Sequence, residues 1–197
     1  MPFPSIQCNF AIRADGSHHG VISHATDWAR VHARRERAGF VAVGANTWNA
    51  DHPRLLVSAE RLGRAPLRQS VPVVFARHTV LKPPSQTSIL PIVVARHRPT
   101  WPCRFVQAGE LRTGLAGLAS EGVINLFVEG GPKLHEAVVS CQIIDSFTVF
   151  VASDSFEEAR NAVRRALPFL PPPERAERLD GGTLLEFRPG AALANVA

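Results

Sequence analysis

The sequence predicts an α/β protein: a mostly parallel central sheet flanked by helices, finished by a C-terminal antiparallel hairpin. Three observations predict it. Runs rich in Val, Ile and Phe at residues 40–43, 71–76, 89–95, 123–128 and 143–152 have strand length and little polar content, as strands covered on both faces must. Helical patterns separate several of them, so successive strands need crossover connections and run parallel. Near the C-terminus, residues 175–180 and 183–188 flank Gly181-Gly182, a two-residue hairpin signal.

Residues 5–12 alternate, with Ile6, Cys8, Phe10 and Ile12 on one face of a first strand, and Asp15-Gly16-Ser17 turns the chain. A short loop from Gly20 to Ser23 hangs over one edge of the sheet. The next helix is capped by Ser23 or Thr26 and closed by Gly39, with Trp28, Val31 and Ala38 on its buried side and Arg30, Arg34 and Arg37 on its solvated side. The strand at 40–43 ends in a turn at Gly44-Ala45-Asn46-Thr47, and residues 48–53 are polar. Residues 62–70 form a basic loop. A strand at 71–76 tolerates Pro72 near its start, and Lys82-Pro83-Pro84-Ser85 is a turn or exposed loop. Strands at 89–95 and 104–107 follow, joined by an irregular link, and residues 110–120 form an amphipathic helix through Leu111, Leu115 and Leu118. After the strand at 143–152, Ser155 caps a helix at 156–167. Prolines at 168–173 lead to the hairpin, and residues 189–197 read as a frayed tail. The length of 197 residues suits one domain.

Chemistry concentrates at residues 123–137, V-I-N-L-F-V-E-G-G-P-K-L-H-E-A. The strand stops at Glu129-Gly130-Gly131-Pro132 and a helix begins, Pro132 suiting its first position. Two glycines let the backbone approach an anion, and unsatisfied amides and the positive end of the helix dipole point the same way, which makes a phosphate site. Glu129 stands at the carboxyl end of a central strand, where open α/β sheets bind ligands. A carboxylate repels a bound phosphate, so Glu129 belongs to a second ligand. An ordinary strand-to-helix turn with a solvated Glu has the same local pattern, so other segments must decide.

The net charge of +5 and sequence pI of about 10.0 raise nucleic acid as a ligand. The cations are dispersed, however, without zinc-finger spacing or an aromatic RNA-binding signature, and they suit an enzyme whose ligands are phosphates. Cys8, Cys103 and Cys141 lack paired spacing and read as reduced, mostly buried thiols of a cytoplasmic protein. Eight histidines include no metal-binding spacing, so no metal is expected. No signal peptide or membrane-length apolar run is present, so neither a membrane nor nucleic acid is expected as a partner.

Three segments in order resemble one family. Phe10-Ala11-Ile12-Arg13-Ala14-Asp15-Gly16 is similar to a strand ending in S/T-L-D-G. Residues 43–55, with Val43, Gly44, Thr47, Asp51, Pro53 and Leu55, are similar to V-G-x-G-T-x-x-x-D-x-P-x-L. Val128-Glu129-Gly130-Gly131-Pro132-Lys133-Leu134, then Ile144-Asp145, is similar to V-E-G-G-x-x-L followed by V-D-E. The set resembles the reductase domain of riboflavin biosynthesis, found in bifunctional deaminase–reductases and as a stand-alone enzyme, with a dihydrofolate-reductase-like fold.

The resemblance implies NADPH-dependent reduction of a ribosylaminopyrimidine 5′-phosphate to its ribitylamino product, in a homodimer. It implies that Thr47, Asp51, Gly130, Gly131, Pro132, Lys133 and Leu134 contact the cofactor, as does Ala11 through its backbone. Glu129 and Leu55 face the substrate, Glu129 orienting or polarising the sugar, and Arg35 holds the substrate phosphate. Arg77, after the third strand, suits the cofactor's 2′-phosphate, unless it is a solvated loop residue. The chain departs from the family at Asn46, in place of a second glycine and tolerated there if it enters the left-handed region. It departs again at His18-His19, in a loop that in the family lies over both ligands, and at Ser58, in place of an Arg. These departures leave open a related reductase acting on another pteridine- or pyrimidine-like compound, or a non-catalytic nucleotide-binding protein.

Overall fold

The computed structural model describes residues 3–84 and 88–188. Its elements are β1 (Ser5–Arg13), α1 (Ala25–Ala38), β2 (Phe40–Gly44), α2 (Ala45–Asp51), α3 (Ala59–Leu62), β3 (Val71–Ala76), β4 (Ile92–Ala95), β5 (Arg104–Gln107), α4 (Leu111–Ser120), β6 (Asn125–Gly130), α5 (Pro132–Ser140), β7 (Ser146–Ala152), α6 (Phe156–Ala166), β8 (Arg175–Leu179) and β9 (Gly182–Phe187). Nine strands form one sheet in the order β5-β4-β3-β2-β6-β1-β7-β9-β8, parallel as far as β7 and antiparallel at β9 and β8. The α/β fold class expected from the sequence is the one found.

Alternation assigns the two faces. On one, Ile6, Cys8, Phe10 and Ile12 of β1 and Leu126 and Val128 of β6 pack with Leu115 and Leu118 of α4, Leu134 and Val138 of α5 and Ala159, Ala162 and Val163 of α6. On the other, Val41 and Val43 of β2 and Phe127 of β6 pack with Val31 of α1 and Ala45 and Trp48 of α2. The chain runs outward from β2 to β5, returns through α4, and inserts β6 between β1 and β2. The helices that follow β1 and β6 leave on opposite faces, and a crevice opens at the strands' carboxyl ends, where such sheets bind ligands.

Several sequence expectations are corrected. Neither Ser23 nor Thr26 caps α1: its N-cap is His24, whose carbonyl accepts from Trp28 N at 2.9 Å. Arg30 is not solvated. Its guanidinium binds Asp27 Oδ1 and Asn9 Oδ1, both at 2.6 Å, because the face of the sheet beneath α1 carries polar Asn9 and Thr148. Arg34 is half-buried as well, and Arg37 is exposed. Residues 45–51 are helical rather than a turn and polar loop, since Ala45 and Trp48 give that segment an apolar side; Trp48 stacks on Trp101. Asn46 therefore has helical backbone, and the left-handed conformation falls at His52 (φ 45°) and Leu55 (φ 56°) instead. Ser58 caps the short α3. The strand expected at 123–128 is shifted to β6 and ends on Gly130. Hairpin register pairs Leu179 with Gly182, so the turn is Asp180-Gly181 rather than Gly181-Gly182. Gly182 lies within β9, where a Cβ would stand 2.3 Å from Val151 O. Of the cysteines, Cys8 is buried and the other two are half-buried. Ser85 and the tail expected at 189–197 lie outside the described residues.

Candidate active site

The site is built around the end of β6. Phe127 and Val128 are buried. Register with β2 then slips: Ala42 opposes Val128 and Val43 opposes Gly130, so Glu129 is the extra residue of a bulge, a device that re-aims side chains. The Glu129 carboxylate meets Arg35 of α1 in a two-pronged ion pair, Nε to Oε1 and Nη2 to Oε2 at 2.7 Å each. Arg35 Nη1 also donates to Leu56 O at 2.9 Å.

Beyond Glu129 the backbone needs glycine. A Cβ at Gly130 would stand 2.7 Å from Val43 Cγ1, and Gly131, the N-cap of α5, has φ 81° with Thr47 Oγ1 3.2 Å from where its Cβ would lie. Pro132 takes the first turn of α5 as expected. The start of α5 thus presents the positive end of a helix dipole with no side chain at either glycine to obstruct an anion. Behind it, the ring of His135 is wholly buried, 5.1 Å from the Phe10 ring and 4.9 Å from that of Phe147, with Nε2 3.2 Å from Val128 O. Burial pushes its pKa down to about 4, against the opposing pull of the Val128 carbonyl, so the ring is neutral at pH 7.

A cavity of about 1100 Å³ opens over the carboxyl ends of β1, β6, β2 and β3. Single small-molecule sites occupy roughly 300–1,000 Å³, so this one has room for more than one ligand. Thr47 and Asp51, one turn apart on α2, line it together with Arg77, Glu129, Gly130, Gly131, Pro132, Lys133 and Leu134. Three other residues singled out from the sequence do not line it. Ala11 pairs with Phe150 and packs beside Ile22 and Leu184. Leu55 is buried in the core beneath α1 and α2. Arg35 reaches the cavity through Glu129. Sequence reasoning missed Phe10 and Phe75, and also Gly109 and Glu110 before α4, which repeat after β5 the small-residue strand end that marks β6. Among the described residues no group of three or more His, Cys, Asp or Glu could hold a metal, and no helix is long and apolar enough to cross a membrane.

The family model of the RibD C-terminal domain matches residues 4–155. The chain belongs to this family. Solved structures carry the same fold as this RibD C-terminal domain. The deaminase/5-amino-6-(5-phosphoribosylamino)uracil reductase of Thermotoga maritima matches with a TM-score of 0.72 at 22% identity, over 95% of this chain and 57% of its own. RibD of Acinetobacter baumannii matches with a TM-score of 0.68 at 19% identity, over 94% of this chain and 58% of its own. The riboflavin biosynthesis reductase of Saccharomyces cerevisiae matches with a TM-score of 0.67 at 15% identity, over 94% of this chain and 90% of its own. The chain thus spans little more than half the length of the two bacterial proteins. No curated protein matches it. Reductases of this family use a nicotinamide cofactor. The glycine-lined start of α5 and the cavity's volume fit such a group.

Proposed function

We propose that this RibD C-terminal domain reduces a ribosylaminopyrimidine 5′-phosphate to the ribitylamino product with NADPH, as a cytoplasmic homodimer. The observation that carries the reading is the double-glycine start of α5, opening at the end of a central strand into a cavity large enough for two ligands. Residues 130–134 hold the pyrophosphate, and Thr47 and Asp51 bind the cofactor from the facing wall. Arg77 at the cavity wall takes the 2′-phosphate, which favours NADPH over NADH. When bound, the nicotinamide supplies a hydride. The chain's part is to orient the sugar and exclude water, with Glu129, fixed by Arg35, as the orienting carboxylate. His18 and His19, which also line the cavity, support a second reading, reduction of a related pteridine- or pyrimidine-like compound. The deciding experiment follows NADPH oxidation by absorbance with the deaminated and the non-deaminated ribosylaminopyrimidine phosphates in parallel. Turnover of either supports the first reading. Tight NADPH binding without turnover of either supports the second.

A further inference from the structure

The loop after β1 is pinned at many points for a segment of its length. Arg13, the last residue of β1, turns its guanidinium back under it, donating from Nη1 to His19 O at 2.7 Å and Ser17 Oγ at 3.4 Å, and from Nη2 to Val21 O at 3.2 Å. Asp15 Oδ1 accepts from Ser17 N at 2.8 Å, Arg165 Nη2 donates to Ala14 O at 2.8 Å, and Ile22 is buried against Phe150 and Leu184. The clasp sets two imidazoles on the cavity wall. The His18 ring lies 5.4 Å from that of Phe10 and 4.4 Å from that of His19.

Reduction at the C–N bond of an opened ribosylamine forms a C–H bond at the sugar carbon while the π electrons of C=N move to nitrogen, which must then take one proton. The cavity offers few sources. Its other ionisable lining residues are the carboxylates Asp51, Glu110 and Glu129, with Arg77 and Lys133, types that stay charged near neutral pH. The Glu129 carboxylate is engaged by Arg35. Imidazole is the side chain that ordinarily exchanges a proton in that range.

We propose that His18 is the proton donor of the reduction, held in place by the Arg13 clasp and recharged directly from solvent. The inference rests on the reductase reading above. On donation the N–H bond of the His18 imidazolium breaks, the substrate nitrogen becomes a neutral amine, and the neutral ring takes its next proton from water. The charged groups facing His18 are His19 on its own loop and Asp51 on α2; Phe10 of β1 presents an apolar ring. Burial and then the charge of His19 hold the His18 pKa below its usual 6.5, outweighing the attraction of Asp51. That makes the imidazolium a stronger acid.

The test measures kcat/KM against pH for the wild type, His18→Gln and Arg13→Gln with the ribosylaminopyrimidine phosphate, alongside NADPH affinity by calorimetry. Wild-type activity falls as pH rises through a value below 6.5. His18→Gln loses that limb and about 100-fold in rate, a typical general-acid contribution, with NADPH affinity within about threefold. Arg13→Gln keeps the limb with a rate lowered about tenfold, as a positioning residue should. A His18→Gln enzyme with the wild-type limb and rate overturns the assignment. Wild-type protein that turns over neither pyrimidine overturns the substrate reading instead. The His18 ring is then followed by NMR with NADPH as the probe: a titration that moves on binding supports its place at the ligand, and one that does not move overturns it.

Discussion

Arg35 and Glu129 stand 94 residues apart in sequence and share a two-pronged ion pair, each side chain 12% exposed. The pair ties the inner side of α1 to the bulge of β6 and so fixes the carboxylate at the cavity wall. Breaking a buried pair from one side strands the other charge, at a cost of about 3–5 kcal/mol, whereas replacing both partners by apolar groups is often neutral. Arg35→Ala is expected to lower unfolding free energy in urea by about that amount, and Arg35→Met with Glu129→Leu to recover more than half of it. A loss below about 1 kcal/mol would show that solvent screens the pair. Kinetics then test its role: a Michaelis constant raised for the phosphorylated substrate far more than for NADPH supports Arg35 acting on the substrate through Glu129, and equal effects assign it to structure.

Gly131 tests the cofactor cradle. Its φ of 81° and the Thr47 hydroxyl 3.2 Å from a built Cβ leave no unstrained place for a side chain. Gly131→Val is expected to lower NADPH affinity at least 100-fold by calorimetry. The fold survives, because one residue in a sparsely populated backbone region costs about 1–3 kcal/mol against a total stability of roughly 5–15 kcal/mol. Unchanged affinity would remove the pyrophosphate from the start of α5.

The sheet and the glycine-lined helix start were legible in the sequence because apolar strand runs and a Gly-Gly-Pro stop are local signals. The order of strands was not, since nothing local says that β6 inserts between β1 and β2. Ion pairing misled in a related way. Arg30 looks like part of a wet helix stripe until Asn9 and Thr148, distant in sequence, place polar partners beneath α1. The bulge at Glu129 and the Arg13 clasp are likewise products of tertiary geometry.

Acid stability depends on two buried histidines. His32, whose Nδ1 accepts from Ser58 N at 2.9 Å, and His135 are both held neutral by burial, with pKa values pushed down to about 4; the cations of Arg35 and Arg61 add to the effect at His32. In the unfolded chain each returns to about 6.5. As pH falls from 6.5 towards 4, the unfolded chain therefore takes up protons that the folded one refuses, and stability drops by up to about 1.4 kcal/mol per pH unit for each ring. Glu36 and Asp15, with pKa values lowered by Arg64 and by the Ser17 amide, lose their contributions only at lower pH, so the window between 6.5 and 5 belongs to the histidines. Urea unfolding at pH 7, 6 and 5 is expected to show this decline. His135→Leu is expected to lower the slope by somewhat less than half, because His32, and to a smaller extent His18, still take up a proton on unfolding. A slope unchanged by His135→Leu would mean that this ring is protonated in the folded protein.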